Sequence, residues 1–226
     1  MTIELKKRIL TSFFLLFLLV ISFFNNFVLI ILLILLSVFS WIEFNGLVYK
    51  IFTLNKKKSK ILKSIISAIF FIYLIYFSTV IFSSLQQATP NLKSNMVYLL
   101  LICIFSDIGG YIIGKTLKGK KLTSISPNKT ISGSIGSFIF PLFLAPIFFY
   151  LSLEKFNLLN LIILTIFISL ICQLGDLFFS YLKRKANVKD TGDLLPGHGG
   201  ILDRIDGVLF ALPFGIILWE FLIFSI

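Results

Sequence analysis

The sequence predicts an all-α integral membrane protein of about seven transmembrane helices, with its N-terminus cytoplasmic and its C-terminus external, on three observations. Apolar residues make up 58% of the 226 and only 14% are charged, whereas soluble domains run about 45–50% apolar and about 25% charged. The mean hydropathy is +1.01. Long Ile/Leu runs and 27 Phe would leave apolar patches in water that soluble chains avoid, so lipid is the expected solvent. The cations, finally, fall almost wholly in alternate loops, as retention of Lys and Arg on the cytoplasmic side requires.

Apolar runs bounded by polar residues give the spans Ile9–Phe24, Phe27–Phe44, Ile61–Leu85, Met96–Ile113, Ile131–Leu153, Leu158–Leu182 and Val208–Ile226. Only Asn25 and Asn26 separate the first two, which read as a tight helical hairpin because two Asn in mid-bilayer would lack partners. Lys6, Lys7 and Arg8 precede the first span; further cations follow the second, fourth and sixth. This places 19 of the 21 Lys and Arg on one side, with Lys93 and Lys155 on the other. No small-x-small cleavage site follows the first span, so it is expected to be a retained anchor. The chain reads as a single membrane-embedded domain over 1–226. Within it, 1–60 form the hairpin and a basic loop, 61–130 the middle helices, and 131–226 the last helices with a polar loop at 180–206.

The net charge of +11 does not point to nucleic acid, because the aromatics sit inside apolar runs and not between basic residues on a soluble face. It fits loops facing anionic headgroups. Cys103 and Cys172 lie in apolar segments without metal-ligand spacing and read as small buried residues.

All six Asp, at 107, 176, 190, 193, 203 and 206, fall in or beside the two later cytoplasmic loops. Asp107 and Asp176 lie within apolar stretches, where an ionised carboxylate needs a partner or a metal, and are functional candidates. The run from Ser180 to Asp206 mixes carboxylates, cations and glycines, as phosphate chemistry requires. Asp203 and Asp206 at i, i+3 share one face of a helix, and Asp176 and Asp190 are candidates to complete a site for a hard divalent cation. Gly197, Gly199 and Gly200 let backbone N–H groups turn toward an anion beside a helix N-terminus. Lys183, Arg184, Lys189 and Arg204 are candidate phosphate ligands. His198, the one His, reads equally as a loop imidazole. A second block, Ser106 to Lys115, leads into Ser124-Ile-Ser-Pro-Asn-Lys-Thr130, where Ser126, Lys129 and Thr130 suit a nucleotide or phosphate; Gly109, Gly110 and Gly114 suit close helix packing as well as substrate access.

The stretch from Ser180 to Asp206 resembles the signature of phosphatidate cytidylyltransferases, also called CDP-diacylglycerol synthases, with each fixed position matched. The Ser106–Gly114 and Ser126–Thr130 blocks resemble that family's upstream motif, and Lys7-Arg8 with Trp41-Ile-Glu-Phe44 resembles its N-terminal hairpin. The resemblance implies transfer of the cytidylyl group of CTP to phosphatidate in phospholipid biosynthesis, giving CDP-diacylglycerol and pyrophosphate. It implies Mg2+ as cofactor, leaves open a second cation and a homodimer, and puts the enzyme in the inner (cytoplasmic) membrane with its active site on the cytoplasmic side.

By position in the motif, Asp176, Asp203 and Asp206 are then expected to hold metal, and Lys189, Asp190 and Arg204 to be catalytic. Ser126, Lys129, Lys183, Arg184, His198, Gly199 and Gly200 are expected at the nucleotide. The chain departs from the family at Ser132, where a Glu is usual, and is short between Trp41 and Asp107. Rival readings are a CTP-dependent lipid or polyprenol kinase, a CDP-archaeol synthase-like enzyme, and a transporter using Asp107 and Asp176 as ion-path residues.

Single cysteines at positions 57, 120 and 185 should react with a membrane-impermeant maleimide from the cytoplasmic face only, and one at position 93 from the opposite face only. Equal labelling from both faces would overturn the orientation.

Overall fold

The computed structural model describes residues 3–54, 60–86, 90–152, 157–195, 197 and 199–224. The elements are α1 (Ile3–Phe24), α2 (Asn26–Leu54), α3 (Lys60–Gln86), α4 (Pro90–Leu117), α5 (Ile131–Leu142), α6 (Leu144–Leu151), α7 (Leu158–Lys185) and α8 (Leu202–Phe224). Six stretches are long and apolar enough to cross a membrane, α5 and α6 together making one of them, and Leu10–Phe24 adds a shorter apolar helix. Within the six apolar windows only 22% to 39% of residues are buried in the protein. Burying one large apolar side chain is worth about 1.5–3 kcal/mol, so a surface carrying Phe13, Phe24, Phe27, Ile61 and Phe221 exposed is stable only against lipid. The chain is a multi-pass, all-helical membrane protein.

Local chemistry sets the helix ends. α1 and α2 are separate helices broken at Asn25, whose Oδ1 accepts from the N–H groups of Phe27 and Val28 at 3.0 and 3.3 Å, capping α2. The Asn26 amide donates to Gln86 Oε1 at 3.2 Å. The expected span from Ile131 to Leu153 is interrupted at Phe143. Pro146 has no N–H for the Leu142 carbonyl and its ring would clash there; the break puts Pro146 in the first turn of α6, where N–H groups are unpaired anyway. α2 runs ten residues past the expected Phe44, and α8 begins six before the expected Val208, taking in Asp203 and Asp206.

The chain divides into two compact units that do not follow its order. The first comprises Met1–Gln86 and Leu182–Ile205, the second Gln87–Tyr181 and Asp206–Ile226. In the first, α2 packs on α3 through Phe44 stacked on Phe70 at 3.9 Å. Two interhelical hydrogen bonds, Trp41 Nε1 to Ser67 Oγ at 3.1 Å and Ser37 Oγ with Ser78 Oγ at 2.8 Å, satisfy groups that lipid cannot.

In the second, Tyr98 is buried between Phe148 and Trp219 and shares a 2.6 Å hydrogen bond with Thr165. α4 lies against α5 along glycines. A Cβ on Gly136 would sit 2.6 Å from the Gly109 carbonyl oxygen and from the Ile113 side chain, and one on Gly133 would sit 2.8 Å from the Gly110 carbonyl oxygen. Only small residues allow this approach, which accounts for Gly109 and Gly110 as packing residues.

Gly136→Val should therefore lower the thermal midpoint in detergent, overpacking costing about 1–3 kcal/mol. Gly46→Ala, where a Cβ meets nothing within 4 Å, should be neutral or gain up to about 1 kcal/mol. An unchanged midpoint for Gly136→Val would refute the packing.

Candidate active site

In the second unit, the segment from Lys118 to Ile131 is a tight loop closed on itself. Leu122 N–H donates to the Lys129 carbonyl at 2.8 Å and Ile131 N–H to that of Lys120 at 3.0 Å. Its tip, Ser126-Pro127-Asn128-Lys129, is a β-turn with Lys129 N–H on the Ser126 carbonyl at 3.0 Å, Pro standing at the second position where its fixed φ suits such a turn. Thr130 caps α5, its Oγ1 accepting from Gly133 N–H at 3.0 Å. Ser132 donates to the Lys118 carbonyl, and Lys118 has φ +53°.

The turn presents Lys129 to a cavity of about 680 Å³ whose lining includes Asp107, Tyr111, Ser126, Asn128, Thr130, Gln173 and Asp176. Lys129 Nζ pairs with Asp176 Oδ2, and Ser180 Oγ, one turn along α7, donates to Asp176 Oδ1 at 3.3 Å. Ser134 on α5 donates to Gln173 Oε1 at 2.6 Å.

Gly110, Gly114 and Gly133 of α4 and α5 also line this cavity, so packing and access coincide there. α7 and α8 cross where Gly175 and Gly207 admit backbone: a Cβ on Gly175 would lie 2.9 Å from the Asp206 carbonyl oxygen, and one on Gly207 2.7 Å from Cys172 Sγ. Asp176 and Asp206 are the residues beside that crossing. Asp206 Oδ1 accepts from Gly207 N–H at 2.8 Å.

The signature segment of the first unit opens where α7 stops. Val188 N–H returns to the Lys183 carbonyl at 3.0 Å and Asn187 N–H to that of Arg184 at 3.1 Å, with Asn187 at φ +54°, a left-handed helix cap of Schellman type. Leu195 N–H bonds the Gly199 carbonyl at 2.9 Å across a turn in which Gly197 and Gly199 have φ +78° and +82°, conformations glycine adopts without strain.

Two carboxylates hold the rest. Asp203 Oδ2 takes Thr191 N–H at 2.7 Å, Thr191 Oγ1 at 3.0 Å and Gly200 N–H at 3.2 Å, while Oδ1 takes Lys183 Nζ at 2.6 Å. The bond to Gly200, three residues back, lets Asp203 satisfy a backbone N–H just ahead of α8. Glu43 of α2, 9% exposed, accepts from Thr191 Oγ1 at 2.7 Å and from the N–H groups of Ile201 and Leu202 at 2.9 Å each.

At the start of α8 the N–H groups of Gly200, Ile201 and Leu202 thus donate to the protein's own carboxylates, Glu43 bringing negative charge to that helix end. Gly199, at φ +82°, also shapes the loop. Lys183 is buried against Asp203, the side chains 12% and 4% exposed, whereas Arg184, Lys189, Asp190, Asp193 and Arg204 are exposed. His198 lies outside the described residues. Among the described residues no group of three or more His, Cys, Asp or Glu is gathered closely enough to hold a metal on its own.

Sequence reasoning named Glu43 only within Trp41-Ile-Glu-Phe44, with no role, and did not single out Thr191, Ser134 or Gln173. An available signal for Glu43 was its position: a carboxylate within an apolar helix demands donors.

The geometry stands beside clear relatives. A model described as the cytidylyltransferase family matches residues 3–222. A phosphatidate cytidylyltransferase of Bacillus subtilis (strain 168) is 45% identical over 123 residues, 53% of this chain and 46% of that protein. One of Staphylococcus haemolyticus (strain JCSC1435) is 44% identical over 119 residues, 52% and 46% of the two chains. One of Helicobacter pylori (strain J99 / ATCC 700824) is 38% identical over 127 residues, 55% and 47%. The chain spans about half the length of these relatives. With the family match running through both units, from α1 to the last turns of α8, this chain belongs to the cytidylyltransferase family.

Proposed function

We propose that the protein transfers the cytidylyl group of CTP to phosphatidate, giving CDP-diacylglycerol and pyrophosphate. The observation that carries the reading is the cavity in which Lys129 is paired with Asp176. Its volume of about 680 Å³ falls in the range of small-molecule sites, and its lining combines two lysines, two carboxylates, hydroxyls and two amides.

Mg2+ takes one or two carboxylates and completes its shell with water and substrate phosphates, so the two carboxylates of the cavity, Asp107 and Asp176, are a sufficient donor set. Asp206, beside the α7–α8 crossing, is a further proposed ligand. Asp203, whose Oδ1 holds Lys183 and whose Oδ2 takes three donors, is likewise proposed as a ligand. When bound, the ion supplies Lewis-acid neutralisation of charge on the phosphate oxygens.

The protein's own part is binding and orientation. Lys129 exchanges Asp176 for a phosphate oxygen, and Ser126, Asn128 and Thr130 donate to the triphosphate. The cations Arg184, Lys189 and Arg204 are proposed to balance phosphate charge, with Asp190 among them as a further polar contact. A phosphatidate oxygen is itself a nucleophile, so attack on the α-phosphorus of CTP forms the new P–O bond, and the α–β bridging bond breaks to release pyrophosphate. No covalent enzyme intermediate is needed. The lopsided cations support a site on the cytoplasmic side of the inner membrane, where CTP is available.

Purified protein given phosphatidate, Mg2+ and CTP labelled at the α-phosphate should yield labelled lipid. Movement of γ-label alone would replace this reading with a kinase, and no transfer of either would end it.

The two ion pairs differ in how much of the folding rests on them. Lys129 and Asp176 are 30% and 28% exposed and the Lys183–Asp203 pair 12% and 4%. Lys129→Met should change stability by no more than about 1 kcal/mol yet abolish CTP binding. Lys183→Met, which strands a buried carboxylate, should cost about 3–5 kcal/mol. Thermal midpoints and nucleotide titration check both, and the reverse order would refute the assignment.

A further inference from the structure

One buried carboxylate has no part in the proposed chemistry. Glu43 sits in α2, 148 to 159 residues from its partners Thr191, Ile201 and Leu202, and is 9% exposed. An ionised group held this deep in an apolar helix is retained only where its donors are good and its place matters. Its donors are a hydroxyl and two N–H groups at 2.7–2.9 Å.

Two glycines of the signature form its socket. A Cβ on Gly192 would lie 2.8 Å from Glu43 Oε1, and one on Gly200 would overlap the Glu43 carboxylate and Thr191 Oγ1. Thr191 in turn contacts Asp203, whose other oxygen holds Lys183.

We infer that Glu43 is a positioning residue. It keys α2 to the signature segment, fixing Thr191, Ile201 and Leu202 so that Asp203 and Lys183 are held ready for the reaction. The glycines are small to admit Glu43, and a substrate phosphate does not take their place at the start of α8. This inference rests on the proposed cytidylyl transfer for its kinetic consequence, and on geometry alone for the loop.

The test uses the full chain in detergent or vesicles. Glu43→Gln keeps the size and removes the charge. It should leave the KM for CTP within about threefold, because the nucleotide cavity does not include this residue, while kcat falls on the order of 10²-fold, the effect of displaced catalytic groups. Amide exchange over residues 188–202 should quicken at least about tenfold, an opening free energy lowered by about 1.4 kcal/mol. Glu43→Asp, which retains the charge, should restore part of the kcat.

Gly192→Ala should damage the wild type but add nothing in a Glu43→Ala background, since the clash has been removed. Wild-type kcat and unchanged exchange in Glu43→Gln would overturn the inference. So would additive effects of Gly192→Ala and Glu43→Ala, which would mean that the glycine serves something other than this carboxylate. If the wild-type protein fails to label lipid from CTP, the reading of the activity falls, while exchange and the Gly192 cycle still decide the role of Glu43.

Discussion

A carboxylate that leaves water inside a membrane protein must bring its donors with it, and the polar half of this structure follows from that requirement. Lipid has no hydrogen bonds to offer. Asp176 meets the requirement with Lys129 and Ser180, Asp203 with Lys183, Thr191 and Gly200, and Glu43 with Thr191 and the first N–H groups of α8. The sets of Asp176 and Glu43 tie together segments far apart in the chain, and that of Asp203 closes the signature segment on itself. The loops therefore hold defined shapes at places where apolar packing alone would leave them loose, and helices whose surfaces are mostly lipid-facing are joined by a few polar contacts.

Much of the fold was legible because the bilayer imposes a length and a composition on every crossing. The boundaries of α3 and α7 follow directly from their apolar runs. Where the runs misled, the reason is local. α8 starts six residues early because Asp203 turns back to satisfy a backbone N–H just ahead of it, and the hydropathy of Asp203-Arg204-Ile205-Asp206 hides a helix whose polar residues are satisfied. The break at Phe143 was present in the sequence as Pro146 but concealed by an unbroken apolar run.

The site was legible to the extent that its residues are neighbours in sequence or share a motif. Ser126, Lys129 and Asp176 were readable and do meet at one cavity. The use of the glycines was not. Three glycines before a helix resemble a phosphate cradle from spacing alone; in the structure the N–H groups of Ile201 and Leu202 beside them donate to Glu43, from some 150 residues away. Helix N-termini favour negative charge without regard to its source. A buried Glu in an early helix is the competing anion that a motif scan restricted to the loop does not consider.

The difference at position 132 has a structural consequence of the same kind. A hydroxyl there can donate, and Ser132 donates to the carbonyl of Lys118, whose left-handed backbone at φ +53° costs about 1–2 kcal/mol for a residue with a side chain. A carboxylate in that place accepts and cannot make this bond. The loop that carries Lys129 is thus fastened by donation from Ser132 at one end and by the Thr130 cap at the other. The charge lining the cavity falls to Asp107, Lys115, Lys129 and Asp176. With two carboxylates against two lysines, the cavity is close to neutral before any ligand arrives. In the proposed reaction a polyanionic nucleotide would then meet no net repulsion, and Lys129 would exchange Asp176 for a phosphate oxygen, leaving the Asp176 carboxylate for a cation.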